Sequence, residues 1–409
     1  MKSMAENNCV FCIFQRTEND VATIPGIADV LLSTGVLAAK KDDKKQRGGV
    51  IWQRKAGGTK MKIQPGTQAY EVLRLLCLTR EYPRQSIPLL TDGSPVWVRR
   101  VIKQLTDEGY IRLLKQERDI RSLGLRKKGW QAVYGDAAYS RQTLNPGSIR
   151  RYHRLAEAAA MMRLAGVRIY PEEKPDWDTF LNDPWTAEGA VYWTSREMKT
   201  HLELQRNFNS SRFVGLLFRQ RPYISYNLGK GQICWNDGIE AHTRALVSRM
   251  VRAPTENAIL FGQSMANALA VLETVPGNTR GYMSPVTGYR NLYFVPLQPA
   301  ARWQLQRLTT PNWRQLLVNS LLDAGEQNAR LHNIECDGMI VWQGGRLPAL
   351  VACDCNLPQL YRLKAALTLR HVGTAAVFCL PYQAEMYKAY FGAQAVVIPV
   401  VPEDGGINR

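Results

Sequence analysis

Two aspartates near the C-terminus have the spacing of a paired-carboxylate site. Asp337 precedes the apolar run 338–342, Gly344-Gly345 follows that run, and Asp354 comes after a second apolar run. Adjacent glycines between two strand-like runs predict a tight hairpin turn, which would bring both carboxylates to the same end of the hairpin. Paired carboxylates can hold Mg²⁺ or Mn²⁺, and such an ion can activate water for attack on a phosphate.

A purely structural role explains the same two residues. Asp337 can simply start a turn, and Asp354 can cap the helix that the apolar spacing predicts from 357 to 370. The residue types and spacing alone leave both interpretations open.

Other kinds of metal or cofactor site are not favoured. The eight cysteines are too few for a disulfide scaffold, and the pair Cys9 and Cys12 has no second pair at zinc-finger spacing. The five histidines are scattered along the chain. Gly229 and Gly231 do not belong to a Walker or Rossmann phosphate-binding motif, so we expect no nucleotide or organic cofactor.

The acidic pair lies in a long region in which strand-like and helix-like patterns alternate. From residue 191 onward, short apolar runs rich in Val, Ile and Phe alternate with segments of helical periodicity. This alternation predicts an α/β domain with a mixed sheet, and no internal repeat is evident in the sequence. The segment 171–190, with Pro171, Pro175 and Pro184, is expected to be irregular.

A second feature, between residues 67 and 135, has the pattern of a winged helix-turn-helix. Apolar residues recur at helical spacing from 68 to 78, and Ser94-Pro95 marks the start of a further helix through Glu108. The strand-like runs 110–114 and 122–126 then predict the hairpin known as the wing.

Basic residues of this segment are expected to face DNA. Val98, Val101, Ile102 and Leu105 form the inward face of the second helix, which leaves its cations on the other side. The predicted DNA-binding residues are Arg99, Arg100 and Lys103 on the helix and Arg118 and Arg121 on the wing. A winged fold used only for protein contacts is the alternative, and the basic character of both the helix and the wing favours DNA.

The overall charge agrees with a polyanionic partner. The 409 residues contain 53 Lys and Arg against 35 Asp and Glu, a net charge of +18. No apolar run approaches the length of a membrane span, and the short N-terminal apolar stretch does not resemble a signal peptide. We therefore expect a cytoplasmic protein that binds double-stranded DNA and no membrane.

These patterns predict four segments. Residues 1–66, with a charge run at 40–47, are expected to form a flexible basic arm. A winged helix-turn-helix at 67–140, a helical connector at 141–190 and an α/β nuclease-like domain at 191–409 would follow.

The order of these features resembles the replication-relaxation family of plasmid and conjugative-element proteins. The resemblance covers roughly residues 67–400 and rests on a winged helix, an α/β domain, and the order aspartate, glycine-turn hairpin, aspartate, helix. It implies an α/β fold in which an N-terminal winged helix-turn-helix precedes a restriction-endonuclease-like mixed-sheet domain of the PD-(D/E)xK type.

The resemblance also implies site residues for metal-dependent cleavage of DNA. Asp337 and Asp354 match the two acidic, metal-binding positions, whereas Cys336 replaces the expected proline and Asn356 stands where the family pattern has a lysine. Lys364 on the following helix is the candidate replacement, since it could supply the missing positive charge. Weaker candidates are Arg362, which keeps its proton, and the further acids Glu335 and Glu240.

Two functions follow from these expectations. The first is a DNA-binding protein of a mobile genetic element that acts in replication, relaxation or mobilisation, either by metal-dependent nicking or together with a relaxase or coupling protein. The second is a non-enzymatic winged-helix transcriptional regulator, in which a degenerate nuclease-like domain serves homodimerisation or partner binding. Catalysis by Asp337 and Asp354 separates the two.

Overall fold

A computed structural model describes most of the chain outside the N-terminal arm. The described residues are 11–13, 63–90, 94–115, 121–139, 146–183, 188–201, 211–229, 235–274, 285–322, 336–370 and 373–402. All of them belong to one unit of mutually contacting elements. The predicted charge run 40–47 lies outside the described residues.

The N-terminal part consists of helices around a small antiparallel sheet. After a short strand β1 (Phe11–Ile13), the elements are α1 (Gln68–Thr79), β2 (Glu81–Pro83), a 3₁₀ segment (Arg84–Leu89), α2 (Pro95–Asp107), β3 (Ile111–Lys115), β4 (Arg121–Leu125) and α3 (Lys127–Tyr134). The small sheet has the strand order β2-β4-β3, so the predicted hairpin of β3 and β4 gains a third strand that the sequence pattern does not predict.

Helix α2 follows its sequence pattern closely. Ser94 precedes the helix and Pro95 occupies its first position, where a missing N–H costs no hydrogen bond. The buried residues are Val98, Val101, Ile102 and Leu105, as the apolar spacing predicted. Gly109 lies just after the helix with a φ of +78°, a conformation that glycine adopts without strain.

Helix α4 (Pro146–Leu164) lies in the middle of the described structure. It packs on α1, on β2 and the 3₁₀ segment, and on three strands of the sheet that follows it. Its second half is buried almost completely, because small and flexible residues such as Ala158, Ala159, Met161 and Met162 allow neighbours to approach from several sides. Within the segment predicted as connector, this helix is therefore a packed element.

The expectation that residues 171–190 are irregular is wrong for its central part. Helix α5 (Trp177–Asn182) forms there, and the Asp176 carboxylate caps it by accepting hydrogen bonds from two backbone N–H groups. Trp177 and Phe180 are buried against Trp193, so tertiary packing stabilises a helix too short for sequence periodicity to reveal.

Two five-stranded mixed sheets follow, and they confirm the α/β class. The strands of the first are β5 (Val191–Thr194), β6 (Phe213–Phe218), β7 (Pro222–Asn227), β8 (Asn257–Gly262) and β9 (Asn291–Pro296). The second consists of β1 together with β10 (Gly338–Trp342), β11 (Gly345–Val351), β12 (Ala375–Cys379) and β13 (Ala395–Pro402). The first sheet has the order β5-β6-β7-β8-β9 and the second the order β1-β13-β12-β11-β10.

Seven helices alternate with these strands or groups of strands along the described chain. They are α6 (Ser195–His201), α7 (Asp237–Met250), α8 (Met265–Glu273), α9 (Arg302–Leu308), α10 (Trp313–Leu321), α11 (Leu357–Arg370) and α12 (Ala384–Phe391). In the part of the chain that the structure describes, none of the helices is long and apolar enough to cross a membrane.

The two sheets repeat one topology, which the sequence did not reveal. In the first, the antiparallel hairpin β6–β7 is followed by α7, the parallel strand β8, α8 and the parallel strand β9. In the second, the hairpin β10–β11 is followed by α11, β12, α12 and β13 with the same strand directions. Each half is thus a ββαβαβ unit, and buried residues of both units form one hydrophobic core.

Amide side chains join the two units at one point. Asn356, at the start of α11, accepts a hydrogen bond from Leu292 N at 3.2 Å and donates to Asn291 Oδ1 at 2.9 Å. Asn291 in turn donates to Asn257 Oδ1 at 2.8 Å. The chain of amides connects the second unit to strands β9 and β8 of the first.

A buried carboxylate connects the N-terminal elements to the first sheet. Glu157 of α4 accepts hydrogen bonds from Ser86 Oγ at 2.6 Å, from Asn227 Nδ2 at 3.3 Å and from Gln263 Nε2 at 3.4 Å. These donors belong to the 3₁₀ segment, to β7 and to the residue after β8. Because Glu157 is only 2% exposed, water cannot replace any donor that is removed.

This contact predicts that Glu157 is a main determinant of stability. Glu157→Ala should lower the free energy of unfolding by about 3 kcal/mol, because the buried donors Ser86 and Asn227 and the partly buried Gln263 lose their acceptor. Glu157→Gln, which keeps the shape and one acceptor oxygen, should lose less. Urea unfolding curves provide the measurement.

A surface glutamate is the control for this comparison. Glu385→Ala removes an exposed carboxylate whose only described ion pair is with Lys388 on the same helix, and its effect should be small. Equal losses for the substitutions at 157 and 385 would contradict the role assigned to Glu157.

Candidate functional site

Helix α2 presents a basic face to solvent. Arg99, Arg100 and Lys103 are exposed, and the buried residues of the helix lie on its opposite side. Val96 and Trp97 at the start of the helix are also exposed, by 57% and 51%. The structure therefore places the three predicted helix cations together on one accessible surface.

An open groove of about 710 Å³ lies beside this helix and combines cations from three elements. Arg99 and Lys103 of α2 line it together with Arg121 of β4 and Arg84 of the 3₁₀ segment. Asp107, at the end of α2, is the acidic residue in the lining. The groove has the charge that attracts phosphate groups.

Arg84 is a groove residue that the sequence analysis does not predict. Its position depends on the 3₁₀ segment, where the sequence pattern indicates only a turn followed by an apolar run. Pro83 directly before it and the buried Ile87 and Leu89 after it are the pattern that could have revealed the segment. Arg118, the other predicted wing residue, lies outside the described residues.

The structure brings Asp337 and Asp354 to a common neighbour, which is an arginine. Arg314 of α10 donates to both oxygens of Asp337, from Nη2 at 2.9 and 2.7 Å, and to Asp354 Oδ2 from Nη1 at 3.3 Å. Asp337 also accepts the backbone N–H of Val351 at 2.8 Å, and Arg314 donates to the Val351 carbonyl at 2.7 Å. The result is an Asp–Arg–Asp cluster at the carboxyl end of β11.

The predicted hairpin forms and positions the cluster, but its turn lies one residue earlier than the Gly344-Gly345 pair expected, because Gly345 pairs with Trp342 as the first residue of β11. Met339 pairs with Pro348 and Trp342 with Gly345 in an antiparallel register. Gln343 and Gly344 make the turn, both with positive φ, which matches the right-handed twist of the strands. Asp337 thereby precedes the first strand and Asp354 follows the second at the same end.

Asp354 is in an environment that disfavours its charge. Burial raises the pKa of Asp354 to about 6, although the Arg314 guanidinium opposes this rise; Asp337 adds to it. Its Oδ1 atom is buried and has no hydrogen-bond partner among the described residues. Burial alone would lower the pKa of Arg314, but the two carboxylates raise it, so the arginine keeps its proton.

This arrangement does not fit a Mg²⁺ or Mn²⁺ site. Such ions take about six oxygen ligands, whereas a guanidinium here occupies the position between the two carboxylates that a cation would take. Among the described residues, no group of three or more Asp, Glu, His or Cys side chains is arranged to hold a metal. The structure thus supplies the positive charge from Arg314.

The other predicted site residues are not brought to the acidic pair. The Lys364 ammonium donates to the Tyr390 carbonyl and lies 4.0 Å from the centre of the Tyr390 ring. Asn356 forms the joint between the two units, and Arg362 is exposed on α11. The prediction that Lys364 points at Asp337 and Asp354 is therefore not met, because α12 offers that ammonium a nearer carbonyl and aromatic ring.

Of the two further acids, the structure describes one. Glu240 on α7 is buried and accepts hydrogen bonds from Ser211 Oγ and from the Arg212 backbone N–H at 2.8 Å, within the first unit. Glu335 lies outside the described residues.

Arg314 is the residue of this cluster that sequence reasoning missed. It lies 23 residues before Asp337, on a helix that the sequence pattern predicts only as part of a segment interrupted at Pro311. Local spacing cannot reveal a contact between separate elements, so no motif pointed to it.

Comparison with protein-family models, with curated proteins and with solved structures finds no match in any of the three. The functional interpretation of this site therefore depends on its geometry.

The burial of Asp354 predicts a pH dependence of stability. A folded-state pKa of about 6, against 3.8 for an exposed aspartate, means that the folded chain binds this proton more tightly than the unfolded chain. The stabilising contribution is complete below pH 4 and is lost as pH rises through 6. Urea unfolding at pH 4, 5, 6 and 7 should show the free energy of wild type falling relative to Asp354→Asn.

Asp136→Asn, which changes an exposed aspartate, controls for general charge effects. A wild-type free energy that stays constant or rises relative to Asp354→Asn over this range would show that Asp354 is not destabilised by burial.

Proposed function

We propose that this chain binds double-stranded DNA through a winged helix-turn-helix formed by α1, the 3₁₀ segment, α2 and the β3–β4 hairpin. In such a module, the second main helix enters the major groove and the hairpin contacts the DNA backbone. The observation that carries the proposal is the groove in which Arg99 and Lys103 of α2 meet Arg121 of the hairpin.

The side chains of α2 suit this role. Arginine and lysine can contact phosphates or donate to the base edges of guanine, and an exposed apolar side chain can contact the methyl group of thymine. Arg99 and Arg100 lie beside the exposed Val96 and Trp97, so the start of α2 offers both kinds of contact. The net charge of +18 would favour encounter with any duplex.

The biological setting that we propose is the replication, relaxation or mobilisation of a plasmid or conjugative element. This part rests on the resemblance to the replication-relaxation family in the order of a winged helix, an α/β domain and the acidic hairpin. A relaxase or coupling protein of the same element would then be the protein partner, and homodimerisation is compatible with this role.

We further propose that the second ββαβαβ unit, which carries the acidic hairpin, is restriction-endonuclease-like and serves binding instead of cleavage in this chain. Arg314 lies between Asp337 and Asp354 and donates to both, and Lys364 is engaged with Tyr390. This observation favours the alternative of a non-enzymatic DNA-binding regulator over a metal-dependent nuclease.

DNA binding by α2 is tested with the double variant Arg99→Ala/Arg100→Ala. Affinity for a duplex should fall, and the slope of log affinity against log salt should decrease by about one unit for each phosphate that the variant no longer neutralises. Fluorescence anisotropy at several salt concentrations measures both quantities.

The matched control is Arg249→Ala/Lys388→Ala, which removes two exposed cations from α7 and α12. Affinity and slope in the control should stay close to wild type. If the α2 double variant is folded and behaves like this control, α2 does not contact the DNA.

The absence of cleavage is tested on supercoiled DNA. Incubation of wild-type protein with Mg²⁺ or Mn²⁺ should leave the DNA supercoiled, and Asp354→Asn should give the same result, because Arg314 occupies the space between the two carboxylates. Agarose gels provide the measurement. Metal-dependent nicking by wild type that disappears in Asp354→Asn would overturn the non-catalytic proposal and restore the nuclease hypothesis.

A further inference from the structure

A second cluster of cations lies at the carboxyl end of β7. Arg212 Nη1 donates to the Leu228 carbonyl at 3.5 Å, and Cδ of Arg154 lies 3.1 Å from the place where a Cβ on Gly229 would stand. Arg150, one turn earlier on α4, is exposed. Side chains from α4 and from the residue before β6 thus converge on the segment after β7.

Two carboxylates border this cluster, and both accept hydrogen bonds from uncharged donors. The donors are Ser86, Asn227 and Gln263 to Glu157, and Ser211 Oγ and the Arg212 backbone N–H to Glu240. Among the described residues, neither carboxylate forms an ion pair with the guanidinium of Arg150, Arg154 or Arg212. The three guanidinium groups therefore keep their capacity to bind an anion.

The cations of this cluster repel one another. Burial lowers the pKa of Arg154 to about 10, and repulsion from Arg212, Arg151 and Arg150 adds to this lowering, whereas Glu157 opposes it. Burial also lowers the pKa of Lys199 on α6 to about 8, with Arg151 contributing. A bound polyanion would relieve this repulsion.

The cluster adjoins the elements of the proposed DNA-binding module. Ser122 of β4 is hydrogen-bonded to His153 of α4 at 2.8 Å, and the neighbouring Arg121 lines the groove beside α2. Arg150 and Arg154 are within one turn of His153, a rise of about 5 Å along the helix. Helix α4 therefore packs against the strand that carries Arg121.

The position within the sheet also favours a ligand. In sheets with parallel strands and helical connections, ligands bind outside the carboxyl ends of the strands. Strand β7 is parallel to β8, and the cluster lies at this end of β7. The corresponding place in the second unit, after β11, holds Asp354.

We propose that Arg150, Arg154 and Arg212 form a second phosphate-binding site, which takes backbone phosphates of DNA beyond the stretch that α2 contacts. The proposal rests on the proposed DNA binding and extends its footprint onto the first ββαβαβ unit. Arginine suits the task because its planar guanidinium can donate two parallel hydrogen bonds to one phosphate.

The test compares duplexes of about one and about two helical turns. Arg150→Ala/Arg154→Gln should weaken binding of the longer duplex and reduce its salt slope by up to about two units, with little change for the shorter one. Arg99→Ala/Arg100→Ala should affect both duplexes. Anisotropy on the full chain measures affinity and slope, and Arg249→Ala/Lys388→Ala is again the control.

A second pair, Arg150→Ala/Arg212→Gln, leaves the packing of Arg154 in place and should give the same result. If both pairs fold, as urea unfolding would show, and bind the longer duplex like the control, the site does not exist. An equal loss on both duplexes would also overturn the proposal, because the site would then lie within the α2 footprint.

Two further outcomes separate this proposal from the proposed function. An effect of the α4 pair without any effect at Arg99 and Arg100 would leave the second site standing and refute docking through α2. Tripolyphosphate could also stabilise wild type and fail to stabilise Arg150→Ala/Arg154→Gln, while both proteins bind the longer duplex equally well. This result would identify a site for small phosphates and refute the DNA assignment.

Discussion

The buried carboxylate of Glu157 is the constraint on which the rest of the structure depends. One side chain accepts hydrogen bonds from the 3₁₀ segment beside α2, from β7 and from the residue after β8, so it fixes the position of the N-terminal elements relative to the α/β core. These contacts require α4 to be closely packed around Glu157, and the small residues on either side of Glu157 permit this packing. Arg150 and Arg154 belong to the same helix, so the contacts of Glu157 also fix their position.

Because the ββαβαβ unit occurs twice, the chain has two equivalent sheet ends that differ in the charge of their side chains. Both units present the carboxyl end of a hairpin strand next to parallel strands, but the first surrounds this end with arginines and the second with two aspartates. In the second unit, Arg314 bridges the two carboxylates and offsets one of their charges. The chemistry of each edge thus depends on a few side chains and not on the topology.

Much of the fold could be predicted from the sequence, because most elements here have strong local patterns. Most strands of the two sheets and helices such as α2 and α11 show clear apolar runs or helical spacing. Strand β1 was not predicted, because it lies in the segment expected to be a flexible arm and depends on pairing with β13. Helix α5 and the repeat could not be predicted, since the first depends on Trp177 packing and the second on strand pairing. The candidate site was predicted only in part: its aspartates are local features, whereas Arg314 reaches them through tertiary structure.

The joint between the two units has a consequence for how the molecule responds to its solution conditions. Asn356, Asn291 and Asn257 connect the units through uncharged amides, whose hydrogen bonds do not vary with ionic strength or with titration. Helix α1, by contrast, is held partly by ion pairs of Arg74 with Glu172 and Glu173, and salt screens such pairs. Rising salt should therefore loosen the N-terminal elements while the two sheets stay together, and the same rise in salt would weaken binding of the proposed polyanion.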